Sequence, residues 1–418
     1  MDFQLTPISE SGRRLVAIAE EHAIDFATRA ESHDREGTFP VENFAAMRKS
    51  GLLGACIASE LGGMGLQSVH DLTVCINRIA RGDASTAIAV CMHLVSTWMT
   101  VIRRWNVSQE PERRDLAPFM RKIAAGEVVI CNSGTEPGTN QRHPFTEAVR
   151  VSGGWKLNGR KTFGTLSPVA THFAVFAKIH TPSANGGLSI GAVSVTQGMQ
   201  GFEIKENWDA MGMRASGSHE LVFTDCFVPD HMVTVHGAWG HWTESLLTLG
   251  TAGMLPLLGA FLGIAEAARD IALKVVKVRR SVLTGETQAE RFPTQRDFAE
   301  LEIDLSAARA TLSRNALLVD RFFSEHKAGS MPMQDFHLLM KDTQCTKAFV
   351  NQKAIDIVSR AMTIVGGASF MSRNPLSRLY RDVRAGPFMM PLSPHEAYDY
   401  IGRLTLGFDP EPDPGEPR

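Results

Sequence analysis

The sequence predicts an α+β protein built from an N-terminal helical domain, a central antiparallel β domain and a C-terminal four-helix bundle. Three observations predict it. Apolar residues recur at helical spacing up to about residue 127. Residues 128–235 change to β-branched and aromatic runs separated by Gly- and Pro-bearing turns. A helical period then returns over 236–408. The last ten residues, 409–418, carry four prolines and read as a disordered tail. A chain of 418 residues is long enough to bury a large core without disulfide or metal staples.

In the first block, residues 11–29 have no Gly after Gly12 and no Pro, as a stable helix requires. Pro40 opens a second helix, at a position where its missing N–H costs nothing. The run 60–66 is a glycine-rich turn, and helical patterns resume over 71–79, 84–102 and 116–126. In the second block, 128–131, 173–177, 190–195 and 220–223 read as strands, with turns at 153–154, 182–187 and 215–217. In the third, Leu301, Leu305, Ala308, Leu312, Ala316, Val319 and Phe323 mark the buried stripe of a long amphipathic helix, and 348–364 form another.

Composition narrows the function. Lys and Arg number 43 against 45 Asp and Glu, a balance that argues against nucleic acid or an anionic membrane as partner. The six cysteines include no CxxC pair and the N-terminus has no signal pattern, so a reducing, cytoplasmic setting with free thiols and no metal site is expected. Residues 245–265 carry no charge and are long enough to cross a bilayer. Their glycines at 250, 253, 259 and 263 suit close helix packing inside a large protein instead. Eighteen methionines imply a soft core that adapts to flat ligands.

Several short motifs fall in a telling order. They are Leu61-Gly62-Gly63-Met64-Gly65, Thr135-Glu136-Pro137-Gly138, Leu157-Asn158-Gly159-Arg160-Lys161, Met211-Gly212-Met213-Arg214, Val222-Phe223-Thr224-Asp225 through Pro229, and finally Gly366-Gly367 with Arg381-Asp382. In this the chain resembles the acyl-CoA dehydrogenase superfamily over nearly its whole length. The resemblance implies FAD, held between the β domain and the helical bundle, and a homotetramer or homodimer. It places Thr135 at the pyrimidine edge of the flavin, Phe163 as an aromatic wall and Thr165 as a hydroxyl on the next strand. It also makes Arg279 the cation that reaches a neighbouring subunit's flavin phosphates, with Gly366 and Gly367 admitting the adenine end. Val282 stands where the family has Phe.

The resemblance also locates the base of a dehydrogenase, which must take an α-proton from a thioester. One family position, eight residues past Asp382, is Met390 here; the other, ten residues before Gly263-Ile264, is Gly253. Neither accepts a proton, and Glu396 is the nearest carboxylate that could serve. Three functions therefore stand. The first is FAD-dependent oxidation of an acyl-CoA or similar thioester at Cα–Cβ, with Glu396 as base and an electron acceptor as partner. The second is a reduced-flavin monooxygenase acting on N, S or a ring. It would use FMN or FAD and a flavin reductase, with His93 as a proton donor that titrates near neutrality. The third is a catalytically silent flavin or acyl-CoA binding scaffold. On the flavin readings, Arg279→Ala weakens flavin retention by about 1.5–3 kcal/mol, the worth of a hydrogen bond to a charged group; equilibrium dialysis of the flavin measures it.

Overall fold

The computed structural model describes residues 3–181 and 187–411. Six helices come first: α1 (Glu10–Ala27), α2 (Ala30–Glu36), α3 (Val41–Lys49), α4 (Val69–Gly82), α5 (Ala84–Thr100) and α6 (Glu112–Ala124). Side chains start several of them. Ser9, Ser68 and Asp83 accept the N–H groups of Gly12, Asp71 and Ser85 at the N-termini of α1, α4 and α5. The strands follow: β1 (Ile130–Ser133), β2 (Glu147–Val151), β3 (Gly154–Gly164), β4 (His172–His180), β5 (Leu188–Thr196), β6 (Phe202–Lys205), β7 (His219–Pro229) and β8 (Val233–Ala238). The C-terminal part holds α7 (Glu244–Gly250), α8 (Met254–Val278), α9 (Phe292–Glu325), α10 (Met333–Val365), α11 (Pro375–Val383) and α12 (Pro394–Thr405).

The sheet runs β6-β7-β3-β2-β4-β5-β8, with β1 also on β4. It departs from the wholly antiparallel arrangement expected. Both β1 and β2 run parallel to β4, β1 beside His172–Val175 and β2 beside Lys178–Ile179. They share one edge of β4 in succession, and the segment 134–146 between them leaves the sheet. That departure creates the loop on which the site is built.

The most extensive contact between the two helical parts is that of α4 with α8. On α8, Gly259 and Gly263 face α4, and a Cβ added at either would lie 2.4 Å from the Thr73 or Asn77 carbonyl oxygen. One turn on, Glu266 is buried and receives Arg81 from α4 and Arg309 from α9. Three long helices, α8, α9 and α10, form the bundle, with the short α11 and α12 beside α10. The charge-free stretch 245–265 is core and is not a single helix, because it breaks at 251–253 between α7 and α8.

Two expectations fall partly outside the described residues. The turn at 182–187 is described only at Gly187, and the tail only at 409–411. Those three residues are held, Asp409 accepting from Arg403 Nε at 2.9 Å and Glu411 accepting the Trp242 N–H.

Gly259→Ala should lower stability by about 1–3 kcal/mol, because the added methyl must push α4 from α8. Gly402→Ala on α12, where an added Cβ meets nothing within 4 Å, should be neutral or slightly stabilising. Urea unfolding midpoints of the two variants test the contrast.

Candidate active site

A cavity of about 420 Å³ opens between the sheet, α5, the α7–α8 break and the segment after α11. Thr135 enters it from the loop that leaves the sheet. The loop is fixed by the buried carboxylate of Glu136, which accepts the Phe145 N–H (2.6 Å), the Thr146 N–H (2.9 Å) and Lys161 Nζ (2.5 Å). Lys161 is fully buried on β3. Burial alone would raise the Glu136 pKa, but the Lys161 charge and the hydrogen bonds outweigh it and hold the carboxyl below its usual range. The Thr135 carbonyl then accepts the Thr162 N–H at 3.0 Å, which ties the loop to the end of β3.

That strand end supplies the next wall. Phe163 has φ 57° and meets Trp208 edge-on at 5.8 Å. Across the cavity floor Met213 has φ 52°, with its N–H on Asp382 Oδ1 at 2.6 Å and its carbonyl on Trp208 Nε1 at 3.0 Å. A left-handed backbone at a residue other than glycine costs on the order of 1–3 kcal/mol, and such strain concentrates at functional sites. Asp382 is buried on α11, which pushes its carboxyl up to about 6. Its neighbour Arg381 reaches back to Asp34 on α2. The Thr165 hydroxyl lies 2.9 Å from Ser218 Oγ, which lies 2.6 Å from Ser216 Oγ, so three hydroxyls form a ladder along one side. Met92, Leu249, Met254 and Leu257 provide an apolar opposite side.

Thr135, Phe163 and Thr165 thus come together in one cavity. An aromatic wall, a polar edge and an apolar floor suit a flavin ring, and the volume is of the size that ligand sites have. Arg279, Gly366 and Gly367 form a separate group. Arg279 Nη1 donates to the Val365 carbonyl at 2.7 Å, and Gly366 has φ 75° with open space where a Cβ would stand.

The two residues expected to do acid–base chemistry lie elsewhere. His93 is fully buried on α5 and does not line the cavity. Its Nε2 donates to the Leu53 carbonyl at 2.9 Å and its Nδ1 accepts the Ile130 N–H at 3.1 Å. Burial lowers its pKa to about 4, so it is a neutral tie between α5 and β1 whose single N–H is already held by the Leu53 carbonyl. Glu396 is exposed in the first turn of α12, where its carboxylate accepts the Ser393 N–H at 2.8 Å in a capping box. It faces a second cavity, of about 210 Å³.

Met390 and Gly253 do line the first cavity. Among the described residues that line it, the only ionisable side chains are Arg381 and Arg384. Sequence reasoning missed Trp208, Ser216, Ser218 and Gln141. The Ser216-Gly217-Ser218 triplet was the available signal, since Gly217 at φ 56° lets both hydroxyls approach each other.

Three family models match the chain: acyl-CoA dehydrogenase N-terminal domain over residues 13–114, middle domain over 131–226 and C-terminal domain over 257–389. Amino sugar nitrososynthase RubN8 of Streptomyces rubradiris is 34% identical over 97% of this chain and 92% of its own length. L-Evernosamine nitrososynthase of a Micromonospora species is 34% identical over 97% of this chain and 93% of its own. Among solved structures, KijD3 in complex with FMN and dTDP-3-amino-2,3,6-trideoxy-4-keto-3-methyl-D-glucose superposes with a TM-score of 0.88 at 32% identity. It covers 99% of this chain and 98% of that one.

Glu136→Ala should destabilise the protein by about 3–5 kcal/mol, because it strands the Lys161 charge in the interior. Flavin retention should fall with it. In the wild type, Glu136 contributes stability that is present above the ordinary carboxylate pKa and is lost as pH falls through its lowered value. Thermal melts across the acid range check the sign: the variant's melting temperature should depend less on pH there.

Proposed function

The chain belongs to the acyl-CoA dehydrogenase superfamily and is a flavin oxidoreductase, and from that premise we propose that it oxidises an amine nitrogen of a nucleotide-linked amino sugar with O₂ and reduced flavin. One observation carries the proposal: among the described residues that line the cavity there is no carboxylate, imidazole, thiol or amine to take or give a proton near neutrality. Oxidation of a thioester at Cα–Cβ needs a base within hydrogen-bond reach of the α-carbon's proton. Met390 and Gly253 occupy the positions where one would stand, and Glu396 caps its own helix outside the cavity. The acyl-CoA reading therefore gives way. The named nitrososynthase relatives, with one structure holding FMN and a dTDP-amino sugar, support the choice of nitrogen and of substrate class.

Hydroxylation of an amine needs no α-proton base. In the first turnover R–NH₂, O₂, two electrons and two protons give R–NHOH and water. Reduced flavin, when bound, supplies those two electrons. The chain's own residues do the rest. Met92, Leu249, Met254 and Met390 exclude water from one side. The ladder of Thr165, Ser218 and Ser216 offers hydrogen bonds from the other. Apolar walls, with no carboxylate among the described lining residues to stabilise an ammonium, favour the neutral amine, which is the form that is a nucleophile.

Arg279 and the open turn at Gly366 can serve the phosphates of FAD or FMN. Val282, where the resemblance places an aromatic residue, is exposed on this face. Val278, Leu283 and Phe370 are also exposed, apolar and close in sequence to Arg279 or Gly366, which favours a second copy of the chain on this face. A separate cytoplasmic flavin reductase would complete the cycle.

The flavin-loaded protein, reduced and mixed with O₂ and a dTDP-linked amino sugar, should yield product one oxygen atom heavier by mass spectrometry. Anaerobic mixing of the oxidised protein with acyl-CoA thioesters should leave the flavin colour unchanged; bleaching by any of them would restore the dehydrogenase reading. The pH profile of kcat/KM should follow the substrate. Two amines whose pKa values differ by about 1 should show profiles displaced by about the same amount, whereas coincident profiles would point to a group on the protein.

A further inference from the structure

Among the described residues that line the flavin cavity, none comes from α10. That helix nevertheless carries a polar face behind the cavity wall. Gln344, Lys347 and Asn351 follow one another at helical spacing, and all three are buried. Buried polar groups are costly in a bundle unless something nearby needs them.

Two irregular backbone segments need them. The break between α7 and α8 leaves the Gly250 carbonyl at a helix end, and Gln344 Nε2 donates to it at 3.4 Å. The segment after α11 leaves more carbonyls unpaired. Lys347 Nζ donates to two of them, those of Met389 and Leu392, the latter at 2.5 Å. At the other end of that segment, a Cβ added to Gly386 would lie 2.4 Å from the Asn351 carboxamide oxygen. Gln344 Oε1 and both polar atoms of the Asn351 amide have no partner among the described residues, so the polar hold on this segment falls to Lys347. Burial lowers the Lys347 pKa to about 8 and the Glu396 charge opposes that, so the group is still an ammonium at neutral pH. Hydrogen bonds from a charged donor are the stronger kind.

The segment so held carries Met389 and Met390, which line the flavin cavity. We propose that Lys347 is a positioning residue for the proposed reaction: from behind the wall it fixes the backbone of 389–392 and keeps the two methionines in place against water. This rests on the flavin reading of the cavity given above. Reduced flavin can also pass its two electrons and two protons to O₂ as hydrogen peroxide, and water in the cavity favours that loss.

Iodide quenching of the fluorescence of the bound, oxidised flavin tests the wall without turnover. Lys347→Met removes the ammonium and keeps an unbranched stem. It should raise the quenching constant at least about twofold, because solvent then enters past residues 389–392. Lys347→Arg restores a cation with several donors and should recover part of the protection. Met390→Ala, with Lys347 intact, should raise quenching as well. The double variant should exceed the larger single effect by little, since both changes act on one wall. In turnover, Lys347→Met should release more hydrogen peroxide, and make less product, per reduced flavin consumed. Should Lys347→Met not fold, Gln344→Leu on the same helix face takes its place, with a smaller rise in quenching. A Lys347→Met protein that melts earlier yet keeps wild-type quenching and peroxide yield would reduce the lysine to a structural role and overturn the assignment. So would fully additive quenching in the double variant. Raised quenching in a protein that oxidises no amine would sink the proposed reaction and leave the lysine clamp standing. Amine oxidation with unchanged quenching in Lys347→Met would do the reverse.

Discussion

The buried pair of Glu136 and Lys161 is the contact on which the site depends. A carboxylate and an ammonium taken out of water cost several kcal/mol each, and only good geometry repays that. Here the geometry is also structural information. Glu136 accepts from two backbone N–H groups of its own loop as well as from Lys161 on β3. The loop is thereby folded back on itself and stapled to the strand that carries Phe163 and leads into Thr165. Thr135 and Gln141, which flank Glu136 on the loop, reach the cavities for that reason. An apolar pair in the same place could fill the volume but could not satisfy the two N–H groups.

Around this anchor the walls of the site are tied by backbone strain and hydrogen bonds. Two of its residues are held in left-handed backbone, and the Met213 N–H is bonded by a buried carboxylate. Strain and fixed hydrogen bonds arrange the walls, while the side chains that line the cavity include hydroxyls, thioethers, two amides, aromatic rings and the guanidinium groups of Arg381 and Arg384. Such a cavity shapes and dries a reaction without taking part in its proton transfers. That is the division of labour expected when the hard chemistry belongs to a cofactor.

The fold was largely legible because its signals are local and periodic. The change from helical to alternating pattern near residue 128 follows from side-chain geometry alone, and the apolar stripe of α9 is buried at Leu301, Leu305, Ala308, Leu312, Ala316 and Val319, with Phe323 at its end only half-buried. The cavity residues Thr135, Phe163 and Thr165 were reached through motifs. What escaped the sequence depends on long-range placement. His93 looked like a proton donor because imidazole titrates near neutrality, and nothing nearby in the chain announced the Leu53 carbonyl and Ile130 N–H that occupy it. Glu396 sits three residues after Ser393, a capping-box spacing that could have been read as such. The parallel pairing of β1 and β2 with β4 has no signature in either strand's own composition.

The contact of α4 with α8 has a consequence for how the chain folds. The glycines on α8 and the carboxylate of Glu266 are matched to backbone and an arginine some 185 residues earlier in the chain, as the Arg81–Glu266 pair records. Neither helical segment can bury its face by itself. The compositional blocks of the sequence are therefore not separate folding units. Their helices should gain and lose hydrogen-exchange protection together, as one cooperative body, and a fragment cut between them would leave each piece with an open seam.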